Sequence, residues 1–249
     1  MTQCGHEGKI LSNYDFSKDC VLVVGAPNSG KSTLYANLTG TQSRTVNYPG
    51  STVDTSIGNS RSRFGDSITF VDTPGTYSLE PKTLEEEVTH NVLFAEFSHP
   101  ISRVVVAVVD ATQLARHLLL VRQLQRSGFF PVVALTMNDL LKRDGFEVDV
   151  EKLSDLVRAP VIPVDGLRGK GMNRLVDSLR DEQQSVTTKE KLAPKKFTGL
   201  SSRETENLLN ESVLFAKATL SKGLRLVAVS YTHLRAHETK ANLVCRLLL

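Results

Sequence analysis

The segment Gly25–Thr33 reads Gly-Ala-Pro-Asn-Ser-Gly-Lys-Ser-Thr and directly follows an apolar run at residues 20–24. A strand, a glycine-rich loop and a helix in this order direct consecutive backbone N–H groups at a polyphosphate. Lys31 can reach the β- and γ-phosphates, and the Ser32 hydroxyl is suited to ligate Mg²⁺. An ordinary glycine-rich turn leaves these two residues unexplained. The sequence therefore predicts a nucleotide site that includes Gly25, Asn28, Ser29, Gly30, Lys31, Ser32 and Thr33.

A second motif, Asp72-Thr73-Pro74-Gly75, ends a later apolar run. There the carboxylate can hold Mg²⁺ through water, and the Gly75 N–H can contact a γ-phosphate. Between the two motifs, residues 47–54 are rich in glycine and proline, and Thr52 is the candidate second hydroxyl ligand of Mg²⁺. A ligand on such a loop can engage with a triphosphate and release with a diphosphate. The predicted catalytic residues are Lys31, Thr52 and Gly75, and the predicted magnesium ligands are Ser32, Thr52 and Asp72.

Two later segments concern the base of the nucleotide. Asp139 could accept hydrogen bonds from the N1–H and 2-amino groups of guanine, and adenine lacks this pair of donors. The alternative role of Asp139 is the N-cap of the following helix. Thr136 stands where GTPases usually have asparagine, and a threonine can still tether the phosphate loop by one hydrogen bond. Asp165 and Gly166 follow the last strand, where GTPases usually carry a Ser-Ala pair whose backbone contacts the base.

Short apolar runs alternate with helical patterns between residues 20 and 183. The runs are rich in β-branched residues and nearly continuous, as expected for parallel strands covered on both faces. They occupy residues 21–24, 68–71, 104–109, 132–135 and 161–164. Apolar residues at helical spacing over 114–124 predict a helix packed on the sheet. The fold class is therefore α/β, a doubly wound, mostly parallel sheet of the P-loop NTPase (Ras-like) kind.

The composition changes after Gln183. A lysine-rich stretch with proline and glycine is typical of a linker, and the pattern after it predicts a short helical segment with Ser201 or Ser202 as its cap and Glu204 in the first turn. We predict a flexible tail over 1–18, a nucleotide domain over 19–183, a linker over 184–200 and the start of a helical domain over 201–228.

Composition excludes several classes of protein. The chain has 249 residues, of which 40% are hydrophobic and 23% charged, as in soluble globular proteins. A net charge of +3 is too small to indicate nucleic-acid binding by itself. The three cysteines form no spaced framework, which favours a reducing cytosolic setting. No apolar run approaches 18 residues, so we expect no membrane span.

These elements together resemble the G domain of the FeoB family, prokaryotic ferrous iron transporters whose N-terminal domain is a GTPase. The resemblance covers residues 18–183 and is carried by four stretches. Asn-Tyr-Pro-Gly-Ser-Thr-Val-Asp at 47–54 is similar to the family's Asn-Trp-Pro-Gly-x-Thr-Val-Glu, and Asp-Thr-Pro-Gly-Thr-Tyr-Ser-Leu at 72–79 to its Asp-Leu-Pro-Gly-Thr-Tyr-Ser-Leu. Val-Asp-Ala-Thr-Gln-Leu-Ala-Arg at 109–116 is similar to Val-Asp-Ala-Thr-Asn-Leu-x-Arg. Ala-Leu-Thr-Met-Asn-Asp at 134–139 resembles a variant of its base-recognition motif.

The resemblance implies GTP and GDP as ligands with Mg²⁺, and K⁺-stimulated hydrolysis with Asn28 as the candidate K⁺ ligand. Thr76 follows Gly75 in place of the glutamine that orients water in many GTPases, so slow intrinsic hydrolysis is expected. Switch loops at 44–56 and 72–90 would couple hydrolysis to Fe²⁺ uptake. The implied partners are the protein's own membrane pore region and small cytoplasmic Feo accessory proteins, with no nucleic acid. The implied location is the cytoplasmic side of a plasma (inner) membrane protein, with this fragment soluble by itself.

Two other functions share the same core: a soluble ribosome- or RNA-associated GTPase, and a nucleotide-binding regulator with negligible turnover. We would expect an RNA-associated GTPase to carry a basic RNA-binding domain or a second G domain. The segment Tyr77-Ser78-Leu79 favours the transporter instead. Residues 229–249 resemble translated sequencing-adapter read-through, so we expect them not to be native and discount the His233–His237 pair as a metal site. Cys4 and His6 could touch ferrous iron, although two ligands on a terminal tail are more often incidental.

Overall fold

The computed structural model describes residues 20–40, 44–47, 54–94, 103–189, 199 and 201–222. Its elements are, in chain order, β1 (Cys20–Gly25), α1 (Lys31–Thr39), β2 (Arg44–Asn47), β3 (Asp54–Asn59), β4 (Thr69–Asp72), α2 (Leu84–Phe94), β5 (Val104–Asp110), α3 (Leu114–Arg126), β6 (Phe130–Thr136), α4 (Asn138–Arg143), β7 (Phe146–Val148), α5 (Val150–Val157), β8 (Val161–Pro163), α6 (Met172–Lys189), α7 (Ser202–Thr219) and β9 (Leu220–Lys222). One sheet has the strand order β2-β3-β4-β1-β5-β6-β8, and β7 pairs with β9 in a small second sheet.

The large sheet is covered on both faces. Strands β1, β4, β5, β6 and β8 run parallel, and every residue of β5 is buried. Alternate residues of each strand enter two separate apolar clusters, because successive side chains point to opposite faces. Leu22 packs in one cluster with Leu118 of α3, whereas Val21 packs in the other with Leu34 of α1 and Leu175 of α6. The predicted doubly wound α/β fold and the predicted helix over 114–124 are confirmed.

The segment predicted as a switch loop over 44–56 is partly strand. Strands β2 and β3 run antiparallel to each other, with Asn47 opposite Asp54, and β3 pairs antiparallel with β4. Thr55 and Ile57 are buried, whereas Ser56 between them is half-buried. A polar strand of this kind lacks the continuous apolar run that identified the parallel strands. Thr52, the predicted hydroxyl ligand, lies outside the described residues.

The end of the nucleotide domain also differs from the prediction. Helix α6 continues to Lys189, so the first residues of the predicted linker, 184–189, are helical. Helix α7 begins as expected, with a capping box in which the Ser201 hydroxyl and Glu204 satisfy each other's backbone N–H groups. It does not stand apart from the α/β fold, because its Val213 and Ala216 are buried in the same apolar cluster as residues of α3. An ion pair of 3.0 Å between Arg122 of α3 and Glu211 of α7 lies beside this contact.

Several predictions concern residues that the structure does not describe. They are the tail over 1–18 with Cys4 and His6, the end of the predicted helical segment after Lys222, and residues 229–249 with His233 and His237. In the part of the chain that is described, no helix combines the length and the apolar character needed to cross a membrane.

A buried histidine predicts acid destabilisation of this fold. His117 of α3 accepts a hydrogen bond of 3.0 Å at Nδ1 from the Asp110 N–H, and burial lowers the pKa of His117 from 6.5 to about 4, with Asp110 opposing the shift. The unfolded chain therefore binds more protons than the folded chain between these pH values, and stability falls as pH falls through this window. We expect His117 to contribute a loss of about 2 kcal/mol between pH 7 and pH 5.

Urea unfolding at both pH values measures this loss. The matched variant is His117→Asn, whose side-chain oxygen can still accept from the Asp110 N–H but which does not titrate. We expect the pH-dependent loss to be about 2 kcal/mol smaller in His117→Asn than in the wild type. An equal loss in the two proteins would contradict the role of His117.

Candidate functional site

The phosphate loop connects β1 to α1 and presents an uncapped helix N-terminus. Gly30 is the N-cap residue of α1 with a φ of 86°, a left-handed conformation that glycine adopts without strain. No side chain caps this helix, and its first turn contains no acidic residue. Ser32 and Thr33 are exposed in that turn, and the buried Ser29 hydroxyl has no hydrogen-bond partner among the described residues. The free N–H groups and hydroxyls suit an anion such as a phosphate.

Lys31 and Asp72 meet beside this helix end. The Lys31 Nζ lies 2.5 Å from Asp72 Oδ1, and both side chains are largely buried. Asp72 is placed there because β4 pairs with β1, with Asp72 opposite Val23. Burial raises the pKa of the Asp72 carboxyl, and the Lys31 ammonium opposes this shift. The structure thus brings together the predicted phosphate-binding lysine and the predicted metal-binding carboxylate.

The segment after Asp72 is held against the phosphate loop. The Thr76 N–H donates to the Gly25 carbonyl at 2.9 Å, and the Thr73 hydroxyl donates to the Val23 carbonyl at 3.0 Å. A Cβ at Gly75 would lie 2.8 Å from Cγ and 2.9 Å from the backbone nitrogen of Pro27. Only glycine permits this approach. Gly75, the predicted γ-phosphate sensor, therefore lies against the phosphate loop.

The turn between β6 and α4 meets the other side of the phosphate loop. The Thr136 hydroxyl lies 2.7 Å from the Ser29 carbonyl, to which it donates, so the predicted tether is confirmed. Met137 has a φ of 56° and is the N-cap residue of α4. The alternative role of Asp139 as that N-cap is therefore wrong, because Asp139 lies two residues further on, inside the first turn. Its carboxylate is exposed there.

A third loop, residues 165–170, follows β8. Asp165 accepts hydrogen bonds from the Leu167 and Arg168 N–H groups at 3.0 and 2.9 Å, and the bond from Arg168 is the main cause that lowers the pKa of Asp165. The carboxylate therefore holds its own loop in shape. A Cβ at Gly166 would lie 3.2 Å from Cγ2 of Thr33, so this loop also reaches the phosphate loop.

Sequence reasoning missed three polar side chains around the site. The Thr89 hydroxyl of α2 donates to the Pro74 carbonyl at 2.8 Å, and the buried Gln123 of α3 accepts from the Leu79 N–H at 2.8 Å. Both hold the segment that begins at Asp72. Asn37 of α1 donates to the Gly166 carbonyl at 2.9 Å. The sequence signal available was a polar residue on a mostly apolar helix face, which Thr89 of α2 and Gln123 of α3 show and Asn37 does not.

The site therefore forms where three segments converge on one helix N-terminus. Gly75, Thr136 and Gly166 approach it at three places, Pro27, Ser29 and Thr33 respectively. Asn28 is exposed on the loop with a φ of 62°, a left-handed conformation that asparagine tolerates better than most residues. Such a site can bind a polyphosphate at the helix N-terminus.

Sequence comparison identifies relatives of this chain. The family described as Ferrous iron transport protein B matches residues 19–179. The Fe(2+) transporter FeoB of Escherichia coli K12 is 36% identical over 158 residues, which are 61% of this chain and 20% of that protein. The Fe(2+) transporter FeoB of Salmonella typhimurium LT2 gives the same values. The chain thus spans a fifth of the length of these relatives.

Comparison with solved structures also identifies FeoB proteins as similar to this chain. The cytosolic domain of L. pneumophila FeoB is 31% identical with a TM-score of 0.59, over 80% of this chain and 79% of that one. An S. thermophilus NFeoB mutant bound to GDP is 29% identical with a TM-score of 0.61, over 76% of this chain and 68% of that one. The T. maritima FeoB cytosolic domain has a TM-score of 0.69 at 20% identity, over 82% of this chain and 100% of that one, and shows the shared fold.

Proposed function

The chain belongs to the Ferrous iron transport protein B family, FeoB, and we propose that it is the GTP-binding and GTP-hydrolysing cytoplasmic domain of a ferrous iron transporter. The observation that carries this proposal is the convergence of Gly75, Thr136 and Gly166 on the phosphate loop, with Lys31 and Asp72 in contact beside it. A related domain binds GDP. Because the chain covers a fifth of its curated relatives, iron transport itself is proposed for the whole protein.

The proposed roles follow from the chemistry of each side chain. The N–H groups of Gly30 to Thr33 and the Lys31 ammonium stabilise phosphate charge, and the Gly75 N–H senses the γ-phosphate. Ser32 and Thr52 supply hydroxyl oxygens for Mg²⁺, and the Asp72 carboxylate would hold the ion through water. A bound Mg²⁺ would neutralise charge on the β- and γ-phosphates.

Selection of guanine rests on a second set of residues. The exposed Asp139 carboxylate accepts from the guanine N1–H and 2-amino groups. Thr136 holds the loop that contacts the phosphates, and the backbone of Asp165 and Gly166 closes the other side of the base.

Hydrolysis by this site is expected to be slow and stimulated by K⁺. Thr76 replaces the water-orienting glutamine of many GTPases, and its hydroxyl donates to the Ser78 carbonyl at 2.6 Å. Asn28, exposed on the phosphate loop, is the proposed K⁺ ligand, and a monovalent cation there would supply positive charge beside the phosphates. Backbone groups of residues 47–54 would then position the attacking water.

Family membership favours this function over a soluble ribosome- or RNA-associated GTPase. In the proposed whole protein, this domain lies on the cytoplasmic side of the plasma (inner) membrane. Its partners would be the protein's own pore region, Fe²⁺ as the transported ion and small cytoplasmic Feo accessory proteins. The switch segments around Thr52 and Gly75 would couple the state of the nucleotide to iron uptake.

Nucleotide binding and phosphate release test the proposal. We expect Mg²⁺-dependent affinity for GTP that exceeds affinity for ATP by about a hundredfold, because adenine lacks the pair of donors that Asp139 accepts. Phosphate release should be faster in K⁺ than in Na⁺, and Asn28→Ala should remove that difference while it leaves GDP affinity within about threefold.

Three results would contradict parts of this proposal. Equal affinity for ATP and GTP would exclude a guanine site. Equal rates in K⁺ and Na⁺ would remove the cation mechanism but leave the GTPase. Binding without any phosphate release would identify the chain as a nucleotide-binding regulator.

A further inference from the structure

Asn37 on α1 joins two segments that flank this helix. Its Nδ2 donates to the Gly166 carbonyl at 2.9 Å, and its Oδ1 accepts from the Arg63 guanidinium at 2.7 Å. Arginine offers only donors, so the oxygen of the amide must face Arg63 and the nitrogen must face Gly166. Both ends of the Asn37 amide are therefore used, and its orientation is fixed.

The loop at 165–170 lies along one face of α1. Gly166 approaches Thr33, and a Cβ at Gly169 would lie 3.1 Å from Oδ1 of Asn37. Thr33 and Asn37 are four residues apart, and residues at this spacing share one face of a helix. The loop thus follows the helix that begins at the phosphate loop, and its position depends on contacts with that helix.

Shape and placement of this loop depend on different residues. Asp165 fixes the shape, because its carboxylate accepts from two N–H groups of the same loop. The bond from Asn37 is a described side-chain contact that ties the loop's backbone to α1. Without this donor the Gly166 carbonyl could rotate away from the helix, and the backbone on the base side would rotate with it.

We infer that Asn37 is a positioning residue that sets base affinity and guanine selectivity by fixing the loop at 165–170 relative to the phosphate loop. The inference rests on the proposed function, because it requires that this loop face the base. Asn37 itself touches neither the base nor the phosphates in this role. Its loss should therefore weaken recognition of the nucleoside and leave recognition of the polyphosphate unchanged.

The test compares four ligands on the full 249-residue chain in Mg²⁺: GDP, GTP, ATP and inorganic tripolyphosphate. Asn37→Ala removes both contacts, and Asn37→Asp keeps an acceptor for Arg63 but loses the donor to Gly166. For both variants we expect affinity for GDP and GTP to fall about five- to tenfold, the effect of one hydrogen bond, and the preference for GTP over ATP to shrink by a similar factor. Tripolyphosphate affinity should stay at the wild-type value, which also shows that the phosphate loop is folded.

Ala36→Gln is the matched control, because Ala36 is exposed on the same helix. It should bind all four ligands as the wild type does. Unchanged GDP affinity in both Asn37 variants would overturn the inference and leave the proposed function intact. An equal loss of tripolyphosphate affinity would also overturn it, because Asn37 would then only support α1. A wild-type chain without affinity for GDP or GTP would overturn the proposed function, and the inference with it.

Discussion

Replacement of Lys31 by methionine is expected to lower GTP affinity and the rate of phosphate release by about a hundredfold each. Lys31 is the ammonium closest to the predicted metal-binding carboxylate, and its side chain is 9% exposed. A charge-assisted contact to phosphate in such a setting contributes about 1.5–3 kcal/mol. Methionine keeps the length and most of the volume of the lysine stem. Isothermal titration with GTP in Mg²⁺ and single-turnover phosphate release measure the two losses.

Loss of the lysine is also expected to lower the stability of the fold, so the controls must separate lost GTP binding from lost stability. Asp72 would keep a largely buried carboxylate without the Lys31 ammonium, which destabilises the folded chain. The double variant Lys31→Met, Asp72→Asn removes that charge, and it should recover stability to urea without recovering GTP binding. Lys152→Met, at an exposed lysine of α5, should leave both binding and stability unchanged. GTP affinity of Lys31→Met within threefold of the wild type would contradict the assigned role.

Gly75→Ala should lower the rate of GTP hydrolysis about a hundredfold while GDP affinity changes less than about threefold. The added methyl group would lie 2.8–2.9 Å from three atoms of Pro27, one of them its backbone nitrogen. Because the methyl group would meet the ring and backbone nitrogen of Pro27 and not the end of a flexible side chain, we expect the segment after Asp72 to move away from the phosphate loop. The Gly75 N–H then no longer lies where it could contact a γ-phosphate, a group that GDP lacks.

Single-turnover phosphate release and GDP titration are measured on the same protein. Together they distinguish loss of the γ-phosphate contact from a disturbance of the whole nucleotide site. Gly199→Ala is a control for backbone strain alone, since Gly199 has a φ of 90° but a Cβ there meets no heavy atom within 4 Å. Its hydrolysis rate should match that of the wild type. If Gly75→Ala hydrolysed GTP at the wild-type rate, the segment after Asp72 would not act on the γ-phosphate. An equal loss of GDP affinity would show instead that the whole phosphate loop had moved.

The parallel strands could be predicted because a strand covered on both faces needs apolar side chains at nearly every position. Strand β3 could not, since its sequence Asp-Thr-Ser-Ile-Gly-Asn is mostly polar, and its pairing with β2 and β4 is what shows that it is a strand. Strands β7 (Phe-Glu-Val) and β9 (Leu-Ser-Lys) could not be predicted either, because polar residues interrupt them and neither forms a continuous apolar run. Helix α7 was predicted with its cap, but an apolar helix face does not indicate which surface will cover it.

For the site, the sequence indicates the residues that belong to contiguous motifs. Lys31 and Asp72 lie in two such motifs, and the ion pair between them follows from the pairing of β1 with β4. The tether from Thr136 to Ser29 could also be predicted, because it lies at the end of a predicted strand beside the loop. Asn37 could not, because a single asparagine inside a helix carries no motif, and its partners Arg63 and Gly166 are distant in sequence.

Neighbouring residues of α3 hold two different parts of the molecule. Gln123 accepts the Leu79 N–H of the segment after Asp72, and Arg122 pairs with Glu211 of α7. Successive side chains of a helix point about 100° apart, so α3 makes these two contacts on different sides. A rotation or slide of this helix would therefore change both contacts, and a shift of α7 is expected to reach the backbone that follows Gly75 through α3.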